Sequence, residues 1–360
     1  MEEDKIKKLI INSGYTEPTK YHQYDRETRK FIIKEGRRES GYIISSARNI
    51  SFDDPGIFIP IEIVNKIRVR VKEWREKKYP GVTAITKRLL EHWNDVDQRE
   101  YNFFFCQKEA IETLIWYIEA SSHDKVGVEL EQELDFRRIC SKMATGTGKT
   151  VVMSMLIAWQ ILNKVTYPKD IRFSKVFLIV TPGLTIKRRL QVLDQSKKEN
   201  YYNLYNVVPV NLKEKLSQGK VFIKNWHFLD WQTEEQIKKR KTVDKRGVIS
   251  NEAYFRSIFE NTTIGGKVNV INDEAHHAWK IDESQKISTE EKEKATRWIG
   301  ALERINQSKG ILNCYDFSAT PFVPGGQQHE DKLFKWIISD FNLNDAIESG
   351  LVKTPRVVIR

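Results

Sequence analysis

Cysteine is scarce in this sequence: three residues in 360, Cys106, Cys140 and Cys314, all far apart. There is no Cys-x-x-Cys pair, so neither a zinc site nor a disulfide framework is indicated, and the three thiols are expected to be reduced core residues. No apolar run reaches the ~20 residues that a bilayer span needs. The opening Met1-Glu2-Glu3-Asp4-Lys5 lacks the apolar stretch of a signal peptide. No membrane partner and a cytoplasmic location are therefore the expectation. What is plentiful is charge. Sixty Lys and Arg against 49 Asp and Glu leave a formal +11. A basic surplus favours nucleic acid or another polyanion as partner and says nothing about fold; a lysine-rich composition alone is the plainer explanation. The length exceeds that of a usual single domain, so one large domain with an extra segment, or two domains, is expected.

One stretch organises the rest: Met143-Ala144-Thr145-Gly146-Thr147-Gly148-Lys149-Thr150. A mixed segment from Phe136 to Met143 that suits a strand precedes it, and the apolar run Val151 to Trp159 follows as a helix. Strand, glycine loop and Lys-Thr at a helix start is the layout of a P-loop. Gly146 and Gly148 permit backbone angles closed to other residues. The loop amides, from Thr145 to Thr150, and the helix N-terminus direct donors at a phosphate. Lys149 can reach the terminal phosphates, and the Thr150 hydroxyl can join a magnesium shell. The general pattern has Gly where this chain has Met143.

Before the loop, residues 1 to about 100 read as an accessory region. Met1 to Ile11 suits a short helix, Phe31 to Ile33 and Gly41 to Ile44 suit short strands, and Asp53 to Gly56 a turn. Ile61 to Lys78 places Val64, Ile67, Val71 and Trp74 on one helical face. Thr83 or Thr86 caps a second helix carrying Leu89, Leu90 and Trp93. An amphipathic face is the plainer reading of these aromatics, nucleic-acid contact the sharper one. Gln107, at the start of a helix from about Tyr101 to Ile118, suits an adenine reader, because a carboxamide can accept from N6 and donate to N7.

After the loop, Lys175 to Val180 reads as a buried parallel strand, ending in Thr181-Pro182-Gly183 and the basic Lys187-Arg188-Arg189. Such an end can hold a phosphate backbone. Val207 to Val210 and Lys220 to Ile223 are further candidate strands, the second leading to Asn225-Trp226-His227, which could bond and stack with a nucleic-acid strand. Lys238 to Lys241 is a basic run, with solvated surface as its plainer reading. Val268 to Ile271 is an apolar strand ending in Asn272-Asp273-Glu274-Ala275-His276-His277. Asp273 is placed for magnesium and Glu274 to orient a water; the plainer alternative is a capped helix start. His276 and His277 are adjacent, so they do not suit one metal ion. Ile311 to Thr320 is another strand, whose Ser318 and Thr320 could bond to the Asp273–His276 segment. Helices are expected at Lys332 to Ser339 and Asn344 to Glu348.

In this order, Gln107, Ala144 to Thr150, Thr181 to Gly183, Asp273-Glu274-Ala275-His276 and Ser318-Ala319-Thr320 resemble the motifs of superfamily 2 helicases and translocases. Met-Ala-Thr-Gly-Thr-Gly-Lys-Thr, Asp-Glu-Ala-His-His and Phe-Ser-Ala-Thr-Pro look closest to the restriction (Res) subunits of type III restriction enzymes, over roughly Tyr101 to Arg360. The resemblance implies an α/β fold: a RecA-like P-loop NTPase domain over 101–340, its mainly parallel sheet flanked by helices. A smaller mixed or mostly helical segment precedes it, and 341–360 would lead to a second RecA-like domain. It implies ATP and magnesium held by Gln107 and Thr145 to Thr150, catalysis by Lys149, Asp273 and Glu274, and metal contact by Thr150 and Asp273. Coupling would fall to His276, Ser318 and Thr320, and DNA contact to Thr181, Pro182, Gly183, Asn225 and His227. The implied activity is ATP-driven movement on double-stranded DNA, with endonuclease cleavage in the complete enzyme and a modification methyltransferase subunit as a partner. No second P-loop-like core or nuclease site is visible after Thr320, so those domains are expected in cis or in trans, and hydrolysis by this chain alone is expected to be weak. The alternatives are a nucleic-acid-binding module without catalysis, and a motor of repair or RNA metabolism on the same fold.

Overall fold

The structure is a computed structural model. It describes residues 9–25, 27–44, 56–97, 99–229, 250–280, 288–324 and 331–353. The helix expected at Met1 to Ile11 falls almost wholly outside them, as do most of the turn at Asp53 to Gly56 and the basic run at Lys238 to Lys241.

Two antiparallel hairpins come first, β1 (Lys20–Asp25) with β2 (Lys30–Glu35), and β3 (Gly41–Ile44) with β4 (Ile57–Pro60). Helix α1 (Glu62–Glu76) buries Val64, Ile67, Val71 and Trp74, the face read from the 3- and 4-residue spacing. Helix α2 (Ala84–Asn94) is capped by Thr83, whose hydroxyl accepts the Thr86 N–H at 3.1 Å. Thr86 itself is buried, with its hydroxyl donated to Glu119 at 2.6 Å. Trp74 and Trp93 are 3% and 2% exposed, so they are core residues and offer no stacking surface. The accessory region is thus mixed rather than mostly helical. Its helices share one apolar core with α3 (Phe105–Glu119) and α4 (Lys149–Thr166), so the core runs across residue 100.

The centre is a six-stranded sheet formed by β5 (Arg138–Met143), β6 (Val176–Thr181), β7 (Lys220–Asn225), β8 (Val268–Asp273), β9 (Ile311–Ser318) and β12 (Ile337–Phe341). Its order is β12-β5-β9-β8-β6-β7, and every pairing is parallel. A parallel sheet has helices on both faces, so its strands are apolar on both sides. In β6, Phe177 and Ile179 face α3 and α4, while Val176, Leu178 and Val180 face α6 (Asn251–Ile258) and α7 (Thr289–Lys309). Helix α4 is apolar all round and is enclosed accordingly. The short helix α5 (Leu184–Arg189) follows β6, two-residue strands β10 (Phe322–Val323) and β11 (Lys332–Leu333) pair after β9, and α8 (Leu343–Glu348) follows β12.

Two expected elements differ. Lys332 to Ser339 is not a helix but β11 and the first half of β12. The open edge of β5 accepts Ile337 to Phe341 as a sheet strand, and short apolar runs carry no period that separates helix from strand. Val207 to Val210 is not a strand. Val207 closes a helical turn with its N–H on Tyr202 O, gives its carbonyl to the Trp93 indole at 2.8 Å, and is buried with Val208 without joining the sheet. The helix at Asn344 to Glu348 is present as α8. Among the described residues, no helix is long and apolar enough to cross a membrane.

Candidate nucleotide site

Parallel strands deliver their C-terminal ends to one side of the sheet, where ligands of open α/β folds sit. The P-loop follows β5, Ser318 ends β9, Asp273 ends β8, Thr181 ends β6 and Asn225 ends β7. One sheet edge therefore gathers the residues singled out from distant parts of the sequence.

Met143, the departure from the general loop pattern, is the last residue of β5. It is 1% exposed and opposite Phe341 of β12, and the next amide, Ala144 N–H, donates to Phe341 O at 2.9 Å. This position is a strand residue in the core, so glycine has no conformational role there. The glycines that matter are Gly146 and Gly148, both at φ 88°, in the left-handed region that other residues enter at a cost. Thr147 is fully buried and donates its hydroxyl to Ala144 O at 2.7 Å, which braces the loop from within. Gly148 precedes α4, whose first amides lack helical acceptors and so face an incoming anion. Thr145 and Gly146 are exposed and Thr150 is half-buried.

Gln107 is 4% exposed and braces the same loop. Its carbonyl oxygen accepts the Phe104 N–H at 3.0 Å, and its amide donates to Thr147 O at 3.1 Å. A β-carbon on Gly148 would stand 2.1 Å from Gln107 Nε2, so this glycine is required by close approach as well as by φ. Both ends of the carboxamide are engaged within the chain, which leaves one N–H and one lone pair for a base.

At the end of β8, Asp273 is 2% exposed and its Oδ2 has no partner among the described residues. Burial first, and then the neighbouring Glu274, push its carboxyl up to about 6, against the pull of Lys149 and Arg189. Glu274 is in the left-handed region (φ 52°, ψ 52°), a strained setting for a side-chain-bearing residue that costs on the order of 1–2 kcal/mol. The turn aims its carboxylate back into the cleft: Oε1 is 3.7 Å from Lys149 Nζ, and Oε2 is 3.6 Å from His276 Nδ1. Lys149 is itself 9% exposed. His276 Nδ1 lies 3.0 Å from Ser318 Oγ, which accepts the Thr320 N–H at 3.1 Å. Burial lowers the His276 pKa, so the ring is favoured neutral. Ser318 thus bonds to the segment after β8, whereas Thr320 is exposed and takes part through its main chain. His277 stacks obliquely on His276 with centroids 4.2 Å apart, and burial pulls its pKa down to about 3.

A buried polar network lies beneath this edge, and no motif signalled it. Asp316 of β9 is fully buried and holds Arg138 of β5 (Nε at 2.8 Å), the Asn272 amide of β8 (2.8 Å) and the Trp336 indole (2.7 Å). Asn272 accepts from the Trp298 indole of α7 at 2.9 Å, and Arg138 donates to Ala278 O at 2.8 Å. The three strands that carry the P-loop, the Asp-Glu-Ala-His segment and Ser318 are therefore tied together by side chains within the sheet. The sequence signals were charges within buried strands: Arg138 and Lys142 in β5 and Asp316 in β9.

Of the residues proposed for DNA, Thr181 and Asn225 are buried neighbours in the β6–β7 register, and both spend their side chains locally. Thr181 donates to Gly183 O at 3.2 Å, and Asn225 Oδ1 accepts the Phe228 N–H at 3.2 Å. Pro182 and Gly183 are half-buried, and His227 is exposed with its ring 3.8 Å from Trp226. Arg188 and Arg189, on α5 beside them, are exposed cations.

Comparison with protein families decides the identity of this frame. Residues 100–321 match the family described as type III restriction enzyme, res subunit. The chain belongs to this res-subunit family. No curated protein matches it. The res-subunit match opens just before α3 and closes at Pro321, so it takes in Gln107, the P-loop, Asp273-Glu274 and Ser318. The fold is that of a RecA-like helicase ATP-binding motor domain. The accessory hairpins, α1, α2, β12 and α8 lie outside the matched span.

The cleft fits ATP with magnesium. Two left-handed glycines shape a phosphate nest, Lys149 stands at its edge, and a buried carboxylate oxygen on Asp273 has no partner among the described residues.

Proposed function

We propose that this res-subunit motor domain binds ATP–magnesium between the P-loop and the end of β8 and couples its hydrolysis to movement along double-stranded DNA. The observation that carries the reading is Asp273 Oδ2: a buried carboxylate oxygen with no partner among the described residues, beside the Lys149–Glu274 ion pair, suits a hard cation. In this reading Asp273 and the Thr150 hydroxyl hold magnesium. Lys149 moves from Glu274 to the terminal phosphate oxygens. Glu274, so released, orients the attacking water and accepts its proton. Gln107 keeps its grip on Thr147 O and offers its remaining donor and acceptor to the base. Bound ATP–magnesium supplies the transferable phosphoryl group and the charge that offsets it.

DNA is proposed to lie across the ends of β6 and β7, packed against Pro182, on the main-chain N–H of Gly183, on His227 and on the exposed Arg188 and Arg189. The accessory region before residue 100, a second RecA-like domain reached through the segment after β12, a nuclease domain and a methyltransferase subunit complete the proposed assembly. His276 and Ser318 would relay nucleotide state to the bound strand.

Equilibrium binding of magnesium–ATP to the wild type and to Lys149→Ala tests the core of the proposal. A loss of at least roughly tenfold in the variant, about 1.4 kcal/mol, is expected; equal affinities overturn it. Duplex DNA affinity that weakens steeply with salt is expected for the backbone contacts, and RNA outcompeting DNA at equal length would replace the DNA reading with an RNA motor.

A further inference from the structure

The stretch Gly36-Arg37-Arg38-Glu39-Ser40-Gly41 carries no motif and lies far from the P-loop in sequence. Its side chains nonetheless hold three elements of the motor. Arg37 grips Glu109 of α3 through two bonds of 2.6 Å. Arg38 donates to Asp345 at 3.2 Å and to Glu348, both on α8, and to His22 O at 3.1 Å. Ser40 donates at 2.7 Å to Asp340 of β12, whose other oxygen takes Lys142 of β5 at 2.7 Å. The carboxylates of Glu109, Asp340, Asp345 and Glu348 are 8% exposed or less. Exposed ion pairs hold little, whereas enclosed ones are strongly disrupted when a partner is lost, so this strap fixes geometry.

The segment it fixes reaches the P-loop. Helix α8 leads to Leu351 and Val352. Val352 Cγ2 stands 3.2 Å from where a β-carbon on Gly146 would be, and among the described residues beyond the loop neighbours of Gly146 no other atom comes within 4 Å of that point. Leu351 Cδ2 likewise stands 2.7 Å from the corresponding point on Gly14, whose carbonyl accepts the Phe105 N–H at 2.8 Å where α3 begins. Ile11 and Asn12 donate their N–H groups to Glu348 O at 2.9 and 3.0 Å. Thr147 and Gly148 are braced by Ala144 and Gln107, as described above. Gly146 is exposed and left-handed, and among the described residues Val352 is the non-local side chain that stands against it. A glycine loop is conformationally free unless held, and that freedom is lost again when a phosphate is bound.

We infer that Arg38 is a positioning residue of the nucleotide site: by holding α8 it seats Val352 on Gly146 and keeps the P-loop in its phosphate-receiving shape. This rests on the nucleotide reading above. The accessory region is then part of the ATP site's support, and loss of the strap appears as weaker nucleotide binding.

The test is binding of a fluorescent ADP analogue with magnesium, together with amide hydrogen exchange, on the full chain as wild type, Arg38→Ala, Val352→Gly and the double variant. In Arg38→Ala, exchange is expected to quicken over residues 343–353 while β8 and β9 stay protected, and Kd is expected to rise about tenfold. Val352→Gly should raise Kd comparably without loosening α8, and the double variant should be no worse than about twofold beyond either, because both changes act on one path. An unchanged Kd in Val352→Gly overturns the inference, as does an unchanged Kd in an Arg38→Ala protein whose tail has loosened. If Arg38→Ala also loses protection in β8 and β9, Val352→Gly alone decides. A wild-type protein that binds no nucleotide overturns the nucleotide reading itself; wild-type binding with unaltered variants overturns only the positioning role.

Discussion

His276 and Ser318 sit on neighbouring strand ends with Nδ1 and Oγ 3.0 Å apart, and that bond is the one direct side-chain link between the Asp-Glu-Ala-His segment and the Ser-Ala-Thr segment among the described residues. Ser318 also accepts the Thr320 N–H, so its hydroxyl is free to donate to a neutral His276. Replacing Ser318 by Ala removes this link and leaves the P-loop untouched. Nucleotide affinity should stay within about twofold, while stimulation of ATP hydrolysis by DNA falls roughly 2- to 30-fold, the range of a coupling loss of 0.5–2 kcal/mol. ATPase rates with and without DNA, on the assembly that turns over, measure it. Undiminished stimulation would dissociate the bond from coupling.

Glu274 lies 3.7 Å from Lys149 Nζ, so in the proposed mechanism it competes with phosphate for that cation. Glu274→Gln removes the competing charge together with the proton acceptor. ATP affinity should hold or tighten, while turnover drops by about 10²–10⁴, the usual contribution of a positioned general base. Titration calorimetry and single-turnover hydrolysis separate the two effects. A variant that binds less tightly and turns over normally would move the base elsewhere.

Asp273 gives a pH dependence with a definite sign. Its folded pKa, about 6, lies above the ordinary value of 3.8, so the folded state holds the extra proton between these values. The stability this contributes is complete below pH 3.8 and is lost as pH rises through 6, so the ionised carboxylate burdens the metal-free fold at neutral pH by on the order of 2–3 kcal/mol. Asp273→Asn should therefore raise Tm at pH 7.5 without magnesium, and the gain should vanish near pH 4. Magnesium affinity of the wild type should fall as pH drops below 6, where the metal must displace a proton. His277 acts oppositely: its pKa is lowered from 6.5 to about 3, so stability is lost as pH falls through that window. Thermal melts of the Asp273→Asn and His277→Gln variants across pH resolve the two trends.

The Arg138–Asp316 pair is 1% and 0% exposed, so removing either partner strands a buried charge. Arg138→Leu should cost about 3–5 kcal/mol, far beyond what a surface pair would show. Denaturant midpoints give the loss. Replacing both residues with apolar ones should recover much of it, because an apolar pair of similar volume leaves no charge to solvate.

Much of the active edge was legible because its signals are local. A loop that must wrap phosphate needs Gly146 and Gly148, an all-parallel sheet needs the apolar runs of β6 and β8, and a helix buried on all sides needs the run after Thr150. The spacing of Val64, Ile67, Val71 and Trp74 told which face of α1 was core. Met143 looked like a flaw in the loop pattern and proved to be the last core residue of β5. Lys332 to Ser339 misled because a run as short as Trp336-Ile337-Ile338 has no period of its own, and the unfilled edge of β5 decided in favour of a strand.

The sequence by itself determined the kind of machine: the order of its motifs, the strand–loop–helix of its P-loop and the carboxylates after β8 follow from residue chemistry at short range. Only the tertiary structure decided which charges are working parts. No motif or spacing marks Arg37, Arg38, Asp340, Arg138 or Asp316. Burial turns them into fixed joints, because a charge removed from water must find its partner, and the partners, Glu109, Glu348, Lys142 and each other, are brought close only by the fold.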